Sequence, residues 1–147
     1  MNRPRIEITA PAYLGAAAGV LLLPVHLLLC AVLAAAFHEF CHYLALKICK
    51  IRILELKIGF FGARITTGPL KPTQEIICAA AGPVGSLSFL IFAQIAPVLS
   101  VFGLFQGLFN LLPIYPLDGG RILRCVIEIL KEKSLAKNGS WRYNSPD

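Results

Sequence analysis

Charge is what this sequence has least of. Asp, Glu, Lys and Arg make up 15% of its 147 residues, against about 25% in a soluble domain, and none of them occurs between Ile8 and Phe37. Hydrophobic residues make up 56% and the mean hydropathy is +0.70, which excludes an ordinary soluble protein and points to an integral membrane protein. A linker rich in Gly, Ser or Pro is also missing, as is any internal repeat, so one compact membrane domain is expected. The five cysteines, Cys30, Cys41, Cys49, Cys78 and Cys125, include no Cys-x-x-Cys pair. With an odd number of cysteines as well, neither a disulfide framework nor a zinc finger is indicated, and the thiols read as apolar packing residues. The net charge of +6 does not require nucleic acid as a partner, because the basic residues fall beside the apolar spans, as the positive-inside rule expects.

The apolar run is too long for one crossing. From Ile8 to Cys49, at about 1.5 Å per residue, a helix would extend about 63 Å, twice the roughly 30 Å of a hydrocarbon core. The run must fold back, and Pro24-Val25-His26 is the expected turn. Span one is then about Ala10 to Leu23 and span two about Leu27 to Ile48. A cleaved signal peptide is disfavoured, since the stretch exceeds an h-region of roughly 7 to 15 residues. Span three is expected over about Gln74 to Ile95, with Gly82, Pro83 and Gly85 allowing close approach of another helix. Span four begins near Pro97 and breaks before Asp118. The fold class expected is an all-α polytopic membrane protein with about four transmembrane helices.

Arg3 and Arg5 precede span one, and Lys47, Lys50, Arg52, Lys57, Arg64 and Lys71 separate spans two and three, while the other two connections carry no Lys or Arg. The N-terminus, the central loop and the C-terminus are therefore expected on the cytoplasmic side. Within that loop Leu54, Leu56 and Ile58 alternate with Glu55 and Lys57, and Gly59-Phe60-Phe61-Gly62 can turn the chain. A small β-hairpin at the membrane surface is expected, with Phe60 and Phe61 at its tip as candidate substrate contacts.

His38-Glu39-Phe40-Cys41-His42 lies inside this apolar run. Residues i and i+4 of a helix share a face, so His38 and His42 can bind one metal ion with Glu39 beside it. Three ionisable groups within five positions of a span cost several kcal/mol by insertion scales, and the flanking residues offer no polar face for a soluble helix. At about 1.5 Å per residue His42 is about 9 Å from the inner end of span two. The other informative segment is Asn110-Leu-Leu-Pro113-Ile-Tyr-Pro116-Leu-Asp118-Gly119-Gly120. Two prolines and a diglycine break span four where Asp118 appears, and broken backbone at membrane depth is tolerated only around protein or a water-filled cavity. Asp118 can supply the third ligand of a catalytic zinc or cap a helix over Gly119 to Lys131. Asn110 suits a helix-packing amide or a donor to a substrate carbonyl.

Together, His38-Glu39-x-x-His42, Ala81-Gly82-Pro83 and the Asn110 to Gly120 segment resemble the site-2 protease family of intramembrane zinc metalloproteases. The Asn-Leu-Leu-Pro and Pro-Leu-Asp-Gly-Gly elements look most like the sporulation branch that processes a pro-sigma factor. The resemblance implies a three-helix catalytic core from spans two, three and four. It also implies one Zn2+ per chain on His38, His42 and Asp118, Glu39 as catalytic base, and Asn110 as a substrate-orienting residue. Residues 1–131 would form the protease domain and 132–147 a polar tail. A membrane-anchored protein substrate, a regulatory membrane protein and the lipid bilayer of a bacterial cell membrane are the expected partners. Cys41 stands where the family commonly has glycine, Ser86 where many members have asparagine, and the chain ends soon after span four. A membrane metal transporter or sensor would also carry His and Asp in its spans, and an inactive scaffold would keep the fold without needing Glu39.

Overall fold

Pro24 and Pro72 mark the entry to the two longest apolar helices. Proline lacks the N–H that a first helical turn leaves unpaired and holds the preceding chain extended. The computed structural model describes residues 5–8, 17, 19–59 and 62–143. Within them the element order is strand β1 (Arg5–Ile8), helix α1 (Val25–Ile48), strands β2 (Ile53–Gly59) and β3 (Gly62–Thr67), helix α2 (Pro72–Ser88) continued by a 3-10 turn at Phe89–Phe92, helix α3 (Pro97–Asn110) and helix α4 (Asp118–Tyr143). The protein is thus mostly helical with a small sheet.

α1 contains neither Gly nor Pro, and many of its large apolar side chains face outward: Leu29 is 64% exposed, Phe40 53% and Ile48 72%. It ends in a Schellman-type turn in which Ile51 N–H donates to the Leu46 carbonyl at 2.9 Å while Lys50 takes a left-handed φ of 55°. Ile51 then packs back onto the buried Ala45, Leu46 and Cys78, joined by Ile53 and Ile65 of the sheet. This cluster fixes the sheet beneath the end of α1 and the start of α2. α2 is the central helix, in contact with α1, α3 and α4. α3 approaches it closely because Gly103 and Gly107 are four apart on one face: an added Cβ at Gly103 would stand 2.6 Å from the Ser86 carbonyl oxygen, and one at Gly107 2.9 Å from Leu87. Ser100 Oγ donates to the Phe89 carbonyl at 2.7 Å and ties the same two elements together.

Several expectations change. The hairpin forms, but a strand the sequence reading did not assign joins it: β1 pairs in parallel with β2, from Arg5 opposite Glu55 to Ile8 opposite Ile58, giving the order β1-β2-β3. β2 is therefore the middle strand, antiparallel to β3, with an irregularity between Ile53 and Glu55. An all-α fold with a hairpin becomes helices with a three-stranded sheet. Among the described residues two helices, Val25–Ile48 and Pro72–Phe92, are long and apolar enough to cross a membrane, and Pro97–Asn110 is apolar but shorter. Span one, at Ala10 to Leu23, falls largely outside the described residues, of which 19–22 are helical. The last helix runs on to Tyr143, well past Lys131.

Candidate metal centre

One turn of α1 separates His38 from His42, and both side chains turn inward, at 3% and 9% exposure. Their rings meet edge to face with centroids 4.7 Å apart. Each ring is held from its far nitrogen. His42 Nδ1 donates to the Cys78 carbonyl at 2.7 Å, and since a carbonyl only accepts, the neutral ring leaves the Nε2 lone pair free. His38 Nδ1 lies 2.8 Å from Ser86 Oγ, a fully buried hydroxyl on α2. Such partners set ring orientation and tautomer at metal sites.

Asp118 completes the group from the other side. It is the first residue of α4, and Arg121 N–H donates to the Leu117 carbonyl at 3.1 Å, which puts Leu117 at the cap position and Asp118 inside the helix. The diglycine makes this placement sterically feasible. A Cβ on Gly119 would stand 2.6 Å from the Leu112 carbonyl oxygen, and one on Gly120 2.6 Å from the Tyr115 nitrogen. The loop 111–117 folds back over the first turn of α4 only because both side chains are absent.

The result is a triangle of donors. Asp118 Oδ2 is 3.2 Å from His38 Nε2 and 3.1 Å from His42 Nε2, and the two Nε2 atoms are 3.1 Å apart. Ligands about 2.0–2.1 Å from a tetrahedral zinc are about 3.3 Å from one another, so this donor set fits that ion in both chemistry and spacing. Among the described residues it is the group of three or more His, Cys, Asp or Glu side chains close enough to share a metal.

Gly82 of α2 forms a wall of the site, a role that reading it as a helix-packing residue missed. An added Cβ there would lie 2.6 Å from His38 Nε2 and 2.5 Å from His42 Cε1, and closer still to His42 Nε2. Its sequence signal was its place in Ala81-Gly82-Pro83, but a glycine at a helix contact and a glycine at a metal look alike in one dimension. Ser86 and the Cys78 carbonyl were likewise not assigned as histidine partners. Cys41 faces Gly85 on α2, where an added Cβ would meet its Sγ; the thiol is accommodated because its neighbour is glycine.

The remaining site candidates are not among the donors of the triangle. Glu39 follows His38 on α1 and is half-buried. Asn110 ends α3, and its Nδ2 donates to the Gln106 carbonyl at 2.9 Å, so part of its donor capacity is spent on its own helix. Phe60 and Phe61 lie outside the described residues.

With this geometry established, comparison with known proteins places the chain. The family model of peptidase family M50 matches residues 67–142, more than half of the sequence and including Asp118, α2 and α3. The chain belongs to peptidase family M50. A zinc metalloprotease of Methanocaldococcus jannaschii is 28% identical in an alignment covering 71% of this chain and 36% of that protein, so this M50 chain spans about a third of the relative's length. The solved structure of a site-2 protease from the same organism shares the fold, with a TM-score of 0.69 at 24% identity over 90% of this chain and 73% of the other. Membership makes the chain a metalloprotease-family protein, and the His38, His42 and Asp118 group is where its metal can bind.

Proposed function

We propose that this M50 chain is an intramembrane zinc metalloprotease that hydrolyses a peptide bond in or near the membrane-embedded segment of a protein. The observation that carries the reading is the buried triangle of His38, His42 and Asp118 inside a bundle whose outer face is apolar. A water-soluble bundle would cover Leu29, Phe40 and Ile48, whereas lipid would solvate them. When bound, zinc supplies a Lewis acid for the scissile carbonyl and brings the pKa of water to about 7. The chain's own contribution is to aim the Nε2 atoms of His38 and His42 at one point, the His42 ring with its Nδ1 proton held by the Cys78 carbonyl, and to keep Glu39 beside them to take a proton from water and return it to the departing amine.

The sheet supports a route for substrate delivery. A helical substrate hides its carbonyls in its own hydrogen bonds and must be drawn out before attack. Strand addition replaces those bonds, and since β1 covers one edge of β2, the outer edge of β3 is the hairpin edge that remains for it. The basic residues of the loop between α1 and α2 support, by the positive-inside rule, a cytoplasmic position for this sheet and both termini, with cleavage in the cytoplasmic half of the bilayer. A membrane-anchored substrate and a regulatory membrane protein are the partners this reading calls for. A pro-sigma factor as substrate, in a bacterial cell membrane, rests on the Asn110 to Gly120 motif alone.

Glu39→Gln is the decisive variant, because glutamine keeps the shape and cannot take the proton. It is expected to bind zinc as the wild type does while cleaving a membrane-anchored substrate at least about 100-fold more slowly. Retained cleavage would remove Glu39 as the base. A wild type that carries zinc and cuts nothing would favour a metal-transporting or scaffold role.

A further inference from the structure

Asp118 turns only one of its carboxylate oxygens toward the histidines. Oδ2 makes both contacts described above, while Oδ1 lies 3.6 Å from Nη1 of Arg121, three residues further along α4. Arg121 is itself anchored: its Nε is 3.5 Å from Glu75 Oε1, and that oxygen also accepts from Arg124 Nη2 at 2.9 Å. Glu75 sits in the first turn of α2, the helix that provides Cys78, Gly82 and Ser86 to the centre. The Asp118 and Glu75 side chains are 8% and 15% exposed and that of Arg121 is 32% exposed, so solvent only partly screens the chain of charges.

We propose that Arg121 is a positioning residue for the metal centre. By engaging Oδ1 it leaves Asp118 to ligate through Oδ2 alone, and Glu75 aims the guanidinium by holding its Nε. A carboxylate free to turn can offer both oxygens to one ion, and a second oxygen would take the open position that a hydrolytic zinc keeps for water. The task needs arginine in particular. Its rigid fork presents Nε to one carboxylate and Nη1 to another, whereas the single ammonium of lysine cannot hold both in this arrangement. The same link joins the metal ligand on α4 to the helix that orients both histidines.

The inference rests on the metalloprotease reading, and cobalt titration tests the two separately. The full chain, purified in detergent and stripped of metal, is titrated with Co2+ alone while affinity and the visible spectrum are recorded. Wild type is expected to show the intense visible bands of four-coordinate cobalt. Arg121→Gln and Arg121→Lys should both bind about 10–100-fold more weakly, as for loss of a partner to a metal ligand, with weaker bands as coordination number rises. A purely structural ion pair would instead be rescued by lysine. Glu75→Gln should shift affinity and spectrum in the same direction by less, and should add nothing in the Arg121→Gln background, because it acts through Arg121. Should the Arg121 variants fail to fold, Glu75→Gln decides alone. Cobalt binding within about twofold of wild type with an unchanged spectrum, in whichever of these variants folds, overturns the proposal. A wild type that binds no cobalt overturns the metal-centre reading and this inference with it.

Discussion

Gly82→Ala is the smallest change that tests whether the buried triangle is a metal site. The added methyl would lie 2.6 Å from His38 Nε2 and 2.5 Å from His42 Cε1, whereas ordinary contact begins at 3.4 Å, so the His38 nitrogen alone must retreat by 3.4 − 2.6 = 0.8 Å. Metal sites hold their ligand distances to within about 0.2 Å, and α2 cannot simply withdraw, because α3 is seated against it at Gly103 and Gly107. Displaced ligands should cost more than the roughly 10–100-fold typical of losing a supporting partner. The expected loss of zinc affinity is therefore above about 100-fold, or about 2.8 kcal/mol at 1.4 kcal/mol per tenfold. Competition against a chelator of known zinc affinity measures it on the purified protein in detergent. Gly68→Ala is the matched control, for nothing lies within 4 Å of a Cβ there, and it should bind zinc as the wild type does. Zinc affinity within about twofold of wild type in a folded Gly82→Ala protein would refute the assignment of the triangle as the ligand set.

Two further outcomes are expected. Ser86→Ala should weaken zinc binding by roughly tenfold, because His38 Nδ1 loses its buried partner at 2.8 Å; equilibrium metal titration measures this, and an unchanged affinity would show that Ser86 does not hold the ring. Lys50→Gly should raise stability by about 0.5–1 kcal/mol, since a left-handed residue with a Cβ costs about 1–2 kcal/mol and the greater freedom of unfolded glycine returns part of the gain; thermal unfolding in detergent gives the sign.

The break at Pro24 and the hairpin around Gly59 and Gly62 were legible because proline and glycine act locally, through a fixed φ and a missing Cβ, although the turn expected over Pro24-Val25-His26 is helical from Val25 onward. The pairing of His38 with His42 was legible for the same kind of reason, since the 3.6-residue period needs no knowledge of the rest of the chain. β1 was not. Four residues are too few for alternation to register, and their partner strand lies some fifty positions away, so only the returning chain selects them as a strand. Gly103 and Gly107 do carry a sequence signal, small residues four apart in an apolar helix, which marks a close helix contact without naming the partner helix.

Order along the chain is enough to put two histidines one turn apart and a carboxylate between them in an apolar helix, and to break the later apolar run at an aspartate followed by two glycines. Those are properties of neighbours along the chain. It takes the folded chain to bring Asp118 to the histidines with one oxygen and to Arg121 with the other, and to set Ser86 and the Cys78 carbonyl against the rings. Folding also puts Gly82 where it leaves space at the ligating nitrogens. The contacting pairs are up to 80 positions apart, and which residues touch depends on the close packing of α2 against α1, α3 and α4, a property that no local period or propensity encodes.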